Sequence, residues 1–170
     1  MSQEDGVARL EARIAELEAQ LAEYKEAEAN VRANLERFDH LDFVSFNKQD
    51  WDAFNGTHSP DVLVGWPDGR KTRGAHTHHT DVEFMFTYAP DVQIIDHPIA
   101  FGQGPWTAGM GVVEGTFSKP MALPDGKVIE PTGKKFKYTM ITIAKWQDGK
   151  IAEEYLFWDN SEIAKQMGMS

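Results

Sequence analysis

Apolar residues recur at alternating spacings of three and four from Val7 through Leu10, Ile14, Leu17, Leu21 and Tyr24 to Val31, Leu35 and Phe38. That is a heptad seam, and it predicts one long helix with a narrow apolar stripe. Glu28 interrupts the stripe, while Ala, Glu and Arg fill the other positions as good helix formers. A narrow, Leu-rich seam ahead of a body that is complete without it predicts a coiled coil or helical pair joining protomers. The other reading is one amphipathic helix lying on its own domain. Phe38, Phe43 and Phe46 carry the helix into the main core as far as Asn47. A second short helix is predicted from there to Phe54, with Asn47 as its N-cap, and Gly56 to Pro60 end it.

The pattern then changes period. Asp61 to Trp66 reads as a strand closed by the turn Pro67-Asp68-Gly69. Gly74 opens a third helix, Ala75 to Tyr88, stopped by Pro90. Its stripe is read as Ala75, His79, Val82 and Phe86, with His78 and Met85 beside it. Strands follow at 92–101 and 106–118. In the second, Gly109, Gly111 and Gly115 share one face, and Ala108, Met110, Val112 and Glu114 share the other. Glycines in a long strand permit the coiling of a curved sheet. A loop with three prolines, 120–133, leads to a strand at 136–146. The turn Gln147 to Lys150 then feeds an aromatic strand ending at Asp159, and a short helix closes the chain. Alternation sorts that last strand into Glu153, Tyr155, Phe157 and Asp159 on one face, against Ala152, Glu154, Leu156 and Trp158 on the other.

Helices early and an antiparallel sheet late predict an α+β fold. In it a strongly curved, mostly antiparallel sheet wraps three helices as a cone, with a blind apolar pocket as the ligand site. Residues 1–33 form the heptad segment and 34–170 the cone domain. With 170 residues, 41% of them apolar, the chain is long enough for a sizeable core. The absence of Cys excludes disulfides and thiolate chemistry. A net charge of −10 disfavours nucleic acid and anionic membranes as partners. Neither a membrane span nor a signal peptide is read at Met1 to Asp5 or beyond, which implies a cytoplasmic protein.

Four features together resemble the nuclear-transport-factor-2-like superfamily and its SnoaL-like polyketide cyclase branch. They are His58-Ser59-Pro60-Asp61-Val62-Leu63-Val64 running into Trp66-Pro67-Asp68-Gly69; Gly74 opening a helix; Pro131-Thr132-Gly133-Lys134 before a strand; and Asp148-Gly149-Lys150-Ile151 followed by Asp159 and Gln166-Met167-Gly168. The resemblance spans residues 34–168. It implies an enzyme without metal or organic cofactor that deprotonates carbon beside a carbonyl, as in an intramolecular aldol ring closure. Its acid/base is an Asp ending the last strand, the position Asp159 matches, and it implies a pocket histidine at His58. Dehydration, isomerisation, C–C cleavage and pure ligand binding occur on the same fold.

On the residues themselves, Asp159 has two fates: N-cap of the last helix, or a pocket carboxylate of perturbed pKa. His58 is the expected proton-shuttling partner of Asp159. His79 or Tyr138 would steady an oxyanion. His97, Met110, Glu114, Tyr155 and Phe157 are read as lining the pocket, and Trp66 and Trp106 as clamping a flat apolar ligand at its mouth. His76, His78 and His79 do not converge as metal ligands do, so no metal is expected. Lys134, Lys135 and Lys137 read as a solvated strand edge. The expected partners are a small hydrophobic substrate and a second copy of the chain. A binding module without chemistry would show inward ionisable groups hydrogen-bonded only to backbone.

Overall fold

The computed structural model describes residues 3–169; Met1 and Ser2, part of the stretch read as no signal peptide, lie outside them. Helix α1 (Gln3–His40) passes directly into a π-helical turn, Leu41–Phe46. Then come α2 (Trp51–Thr57), β1 (His58–Gly65), β2 (Lys71–Arg73), α3 (Ala75–Tyr88), β3 (Gln93–Gln103) and β4 (Trp106–Thr116). A two-stranded hairpin of β5 (Met121–Ala122) and β6 (Val128–Ile129) lies in the proline-containing loop. The chain finishes with β7 (Lys135–Gln147), β8 (Lys150–Phe157) and α4 (Asn160–Met167). No described helix is long and apolar enough to cross a membrane.

The main sheet has the order β2-β1-β8-β7-β4-β3, antiparallel except where β1 runs parallel to β8. The helices pack on one face of this sheet as expected of an α+β fold. The core between them joins Phe38 and Leu41 of the first helical segment, Val62 and Val64 of β1, Val113 of β4 and Ile151 of β8. On β4 the inner face is the glycine face. A Cβ at Gly109 would run into the Phe38 ring, and one at Gly115 would come within 2.7 Å of Phe136. The glycines therefore admit α1 and the neighbouring strand against the sheet, and Met110 and Glu114 are turned to the outer side. That corrects the reading of Met110 and Glu114 as pocket residues: Glu114 is exposed, with Lys137 Nζ at 3.5 Å.

Asn47 does not cap α2; Asp50 does, accepting the Ala53 N–H at 3.1 Å. Asn47 instead clamps β3, donating to the Ile94 carbonyl and accepting the Ile94 N–H, both at 2.8 Å. This amide pair works as one more rung of backbone pairing, and it ties the π-helical turn to the sheet.

Candidate active site

A cavity in the core is lined by Leu41, Val82, Met85, Ile94, Met140 and Leu156, with Asp42, His78, Tyr138, Thr142 and Glu154 as its polar groups. Two clusters of ionisable side chains meet it.

In the first, Glu154 of β8 stands between His78 of α3 and His58, the first residue of β1. Its Oε2 lies 2.9 Å from His78 Nε2 and 3.5 Å from His58 Nε2. All three residues are buried. His58 folds back over the end of α2, and its Nδ1 lies 2.8 Å from the Phe54 carbonyl oxygen. A carbonyl has no proton to give, so Nδ1 carries the hydrogen and satisfies one of the carbonyls a helix end leaves unpaired. His58 Nε2 is thereby aimed at the Glu154 carboxylate. Burial acts to raise the Glu154 pKa, but the two imidazoles outweigh it and hold the carboxyl well below its usual range. Burial pushes His78 down more strongly than Glu154 pulls it up. The two directions together describe an ionised Glu154 beside a neutral His78.

In the second, Asp42 sits on the π-helical turn with its carboxylate 2.9 Å from His97 Nε2, while His97 Nδ1 lies 2.7 Å from Asp39. His97 is sandwiched by Phe38, stacked at 5.0 Å, and Phe43 at 4.4 Å between ring centres. Two irregularities in the β3–β4 register, flanking Asp96, break the strand's alternation. His97 therefore turns inward while Ile95, Ile99 and Phe101, read as sharing its face, are exposed. Burial raises the Asp42 pKa against the pull of His97. For His97, burial acts to lower the pKa, but its bonds to Asp42 and Asp39 prevail and raise it. An extra-wide helical turn of this kind is frequent at functional sites, where it re-aims a side chain.

Asp159 is elsewhere. It is exposed and caps α4, accepting the Ser161 N–H at 2.8 Å, the Ser161 hydroxyl at 2.7 Å and the Glu162 N–H at 3.1 Å. Those bonds hold its pKa below the usual value. His58 pairs with Glu154, not with Asp159. His79 also departs from expectation: it stacks on Trp51 at 4.7 Å, bonds Asn55 and lies outside the cavity wall, which α3 builds from His78. Tyr138 does line the cavity, and burial pushes its phenol pKa far up, so it stays a neutral hydroxyl. Tyr155 and Phe157 face outward because β8 turns Glu154, Leu156 and Trp158 to the cavity. Tyr155 stacks on Trp106 on that outer side and donates to Glu153 at 2.8 Å, which removes Trp106, Tyr155 and Phe157 from the pocket. Trp66 lines an adjoining cleft with Arg70 and Phe84 that shares Met85, Tyr138 and Trp158 with the cavity.

Asp42 and Glu154 are not read as site residues from the sequence, and His78 is weighed there only as a metal ligand with His76 and His79, though each leaves a trace. Asp42 falls where the heptad stripe would place its next apolar residue after Phe38. Glu154 was grouped with Leu156 and Trp158, the face that turns inward. His78 continues the stripe Ala75, Val82, Phe86 as well as His79 does, since spacings of three and four are equivalent on a helix.

The SnoaL-like polyketide cyclase family model matches residues 39–167. Among solved structures, IdmH from Streptomyces antibioticus, described as a candidate polyketide cyclase, is 22% identical over 79% of this chain and 98% of its own, with a TM-score of 0.68. AclR from Streptomyces galilaeus, a candidate hydroxylase, is 15% identical over 82% of this chain and 83% of its own, again at 0.68. A protein of ketosteroid isomerase-like fold from Catenulispora acidiphila, in complex with trimethylamine, is 13% identical over 74% of this chain and 88% of its own, at 0.60. No curated protein matches the sequence.

Proposed function

Because the chain belongs to the SnoaL-like polyketide cyclase family, we propose that it is an enzyme moving protons on a small, largely apolar, oxygenated molecule, with Asp42 as general acid/base. One observation carries this reading. A buried carboxylate of raised pKa, backed by His97, faces an apolar cavity whose other polar end is the His58–His78–Glu154 cluster. Two titratable centres with environments pushing them apart are the arrangement acid/base catalysis uses. Asp42 takes a proton from carbon beside a carbonyl, and the enolate oxygen that develops is held by the Tyr138 hydroxyl. The carbanion attacks a second carbonyl of the same molecule, and protonated Asp42 returns the proton to the new alkoxide. That is an aldol ring closure. Dehydration, isomerisation and C–C cleavage draw on the same two ends of the cavity.

The centres of water molecules can occupy only about 40 Å³ of the cavity, against about 330 Å³ in the adjoining cleft. The reacting end of a substrate thus enters the cavity while its bulk lies in the cleft, past Met85, Tyr138 and Trp158. The binding-module reading is disfavoured, since Asp42 bonds to the His97 side chain rather than to backbone.

The test is deuterium wash-in. Hydroxylated aromatic and polyketide-like carbonyl compounds are incubated with the protein in heavy water and read by mass spectrometry. Wild type is expected to label the carbon beside the carbonyl, and Asp42→Asn to lose about 10²–10⁴-fold of that rate. An Asp42→Asn rate equal to wild type, or no labelling of any compound that binds, sinks the reading.

A further inference from the structure

The His58–His78–Glu154 cluster holds more than the proton-transfer reading uses. His58 is locked by its Nδ1 bond to Phe54 with Nε2 3.5 Å from the Glu154 carboxylate, and a buried nitrogen and a buried anion so placed call for a cation, a proton or a metal ion, between them. Among the described residues no aligned hydrogen bond satisfies His58 Nε2 or Glu154 Oε2, both buried. The three donor atoms, His58 Nε2, Glu154 Oε2 and a ring nitrogen of His78, lie within 4.8 Å of one another. Donors about 2.1 Å from a tetrahedral zinc are about 3.4 Å apart. The observed 3.5 Å and 2.9 Å bracket that spacing.

We infer that His58, His78 and Glu154 form a site for a divalent first-row transition metal of the zinc type, with its fourth position open to the cavity. Two imidazoles and a carboxylate are a borderline donor set that suits such ions and not magnesium or calcium, which call for oxygen ligands. The Phe54 carbonyl is the outer partner that orients a ligating histidine, as metal sites regularly require. His78 ligates through Nε2 once its proton resides on Nδ1. The net charge of ion plus ligands is then +1, and a substrate oxygen or a water can take the open position. This is independent of the role given to Asp42, which lies in the other cluster.

The test uses the full chain freed of metal with a chelator and titrated with cobalt(II). The expected result is saturable binding of a single equivalent, with the visible bands of a low-symmetry cobalt site. Displacement by zinc should follow, with no response to magnesium or calcium. Glu154→Gln and His58→Gln should each lose the bands, whereas His76→Gln and His79→Gln, at partly exposed rings on the same helix, should keep them. Asp42→Asn should keep them too, so failure of the metal site and failure of the proton-transfer reading are told apart. If a cluster variant folds poorly, wild type decides alone: its Tm should climb with the logarithm of zinc concentration once the site saturates. Absence of cobalt bands in wild type, bands undiminished in Glu154→Gln and His58→Gln, or a Tm indifferent to zinc overturns the proposal.

Discussion

Asp159 and Glu154 are carboxylates on one short stretch, and their surroundings make them different chemical objects. Asp159 is solvated and fixed by three donors of its own helix start. Asn caps a helix about as well as Asp. Asp159→Asn is therefore expected to keep wild-type turnover and nearly wild-type Tm, while Asp42→Asn loses turnover; a substrate assay with thermal melts checks both, and a dead Asp159→Asn would return that residue to the chemistry. His97 gives a pH signature. Its pKa is raised above the ordinary 6.5 by Asp42 and Asp39, burial notwithstanding. A group raised on folding contributes fully below its unfolded pKa and loses that contribution as pH climbs through the folded one. Urea unfolding of wild type against His97→Gln should show the largest stability gap in mild acid and a narrowing gap in alkali; a gap that widens with pH contradicts the Asp42–His97–Asp39 assignment. The sequence made Asp159 conspicuous because it follows Tyr155, Phe157 and Trp158, yet neighbours in the chain are not neighbours in space on a strand. What was legible was the grouping of Glu154 with Leu156 and Trp158. What was not legible was which of the two faces turns inward, since both carry aromatics and carboxylates.

At the scale of elements, the glycine face of β4 decides much of the geometry. The sequence showed that Gly109, Gly111 and Gly115 share a face, and it was the opposite face that was read as lining the pocket. Physically the glycines matter for what they admit: Phe38 of α1 lies over Gly109, and a Cβ at Gly102 of β3 would come 2.8 Å from Val31. Gly109→Ala therefore overpacks the joint between α1 and the sheet, at a cost of about 1–3 kcal/mol. Phe38→Leu in the same chain should recover part of that loss, which denaturant unfolding of the single and double variants measures; additive losses would mean that the clash is not between these two residues. The order of helices and strands was readable because turn residues such as Pro67-Asp68-Gly69 and Asp148-Gly149 punctuate it. The register irregularities of β3 and the π-helical turn were not, because they arise from tertiary demands: Asn47 clamping Ile94, and His97 reaching Asp42. Those two irregular elements aim the second ionisable cluster, so the part of the site hardest to read locally is the part that departs from regular periodicity.

Taken as a whole, the molecule leaves one long apolar stripe uncovered. Phe38, near the end of α1, is 2% exposed, whereas Leu10, Ile14, Leu17 and Leu21 on the same stripe are 46–62% exposed. The helix leaves its own body and carries the seam into solvent, which is not the lie of an amphipathic helix packed on its own domain. An unsupported helix of this kind is marginal in water. We propose a second copy as its occupant, because β-branched Val7 and Ile14 alternate with Leu10 and Leu17, the arrangement that favours parallel two-stranded coils. A parallel pair would set both bodies at the same end of the coil. Sedimentation should accordingly find a dimer for the full chain and a monomer for a chain lacking residues 1–30, with the deuterium wash-in rate per chain unchanged. The same shift should follow from Ile14→Asp together with Leu17→Asp, which keep the helix length and charge only its seam. A dimer that survives both changes would place the interface on the cone body and leave the exposed seam without its partner.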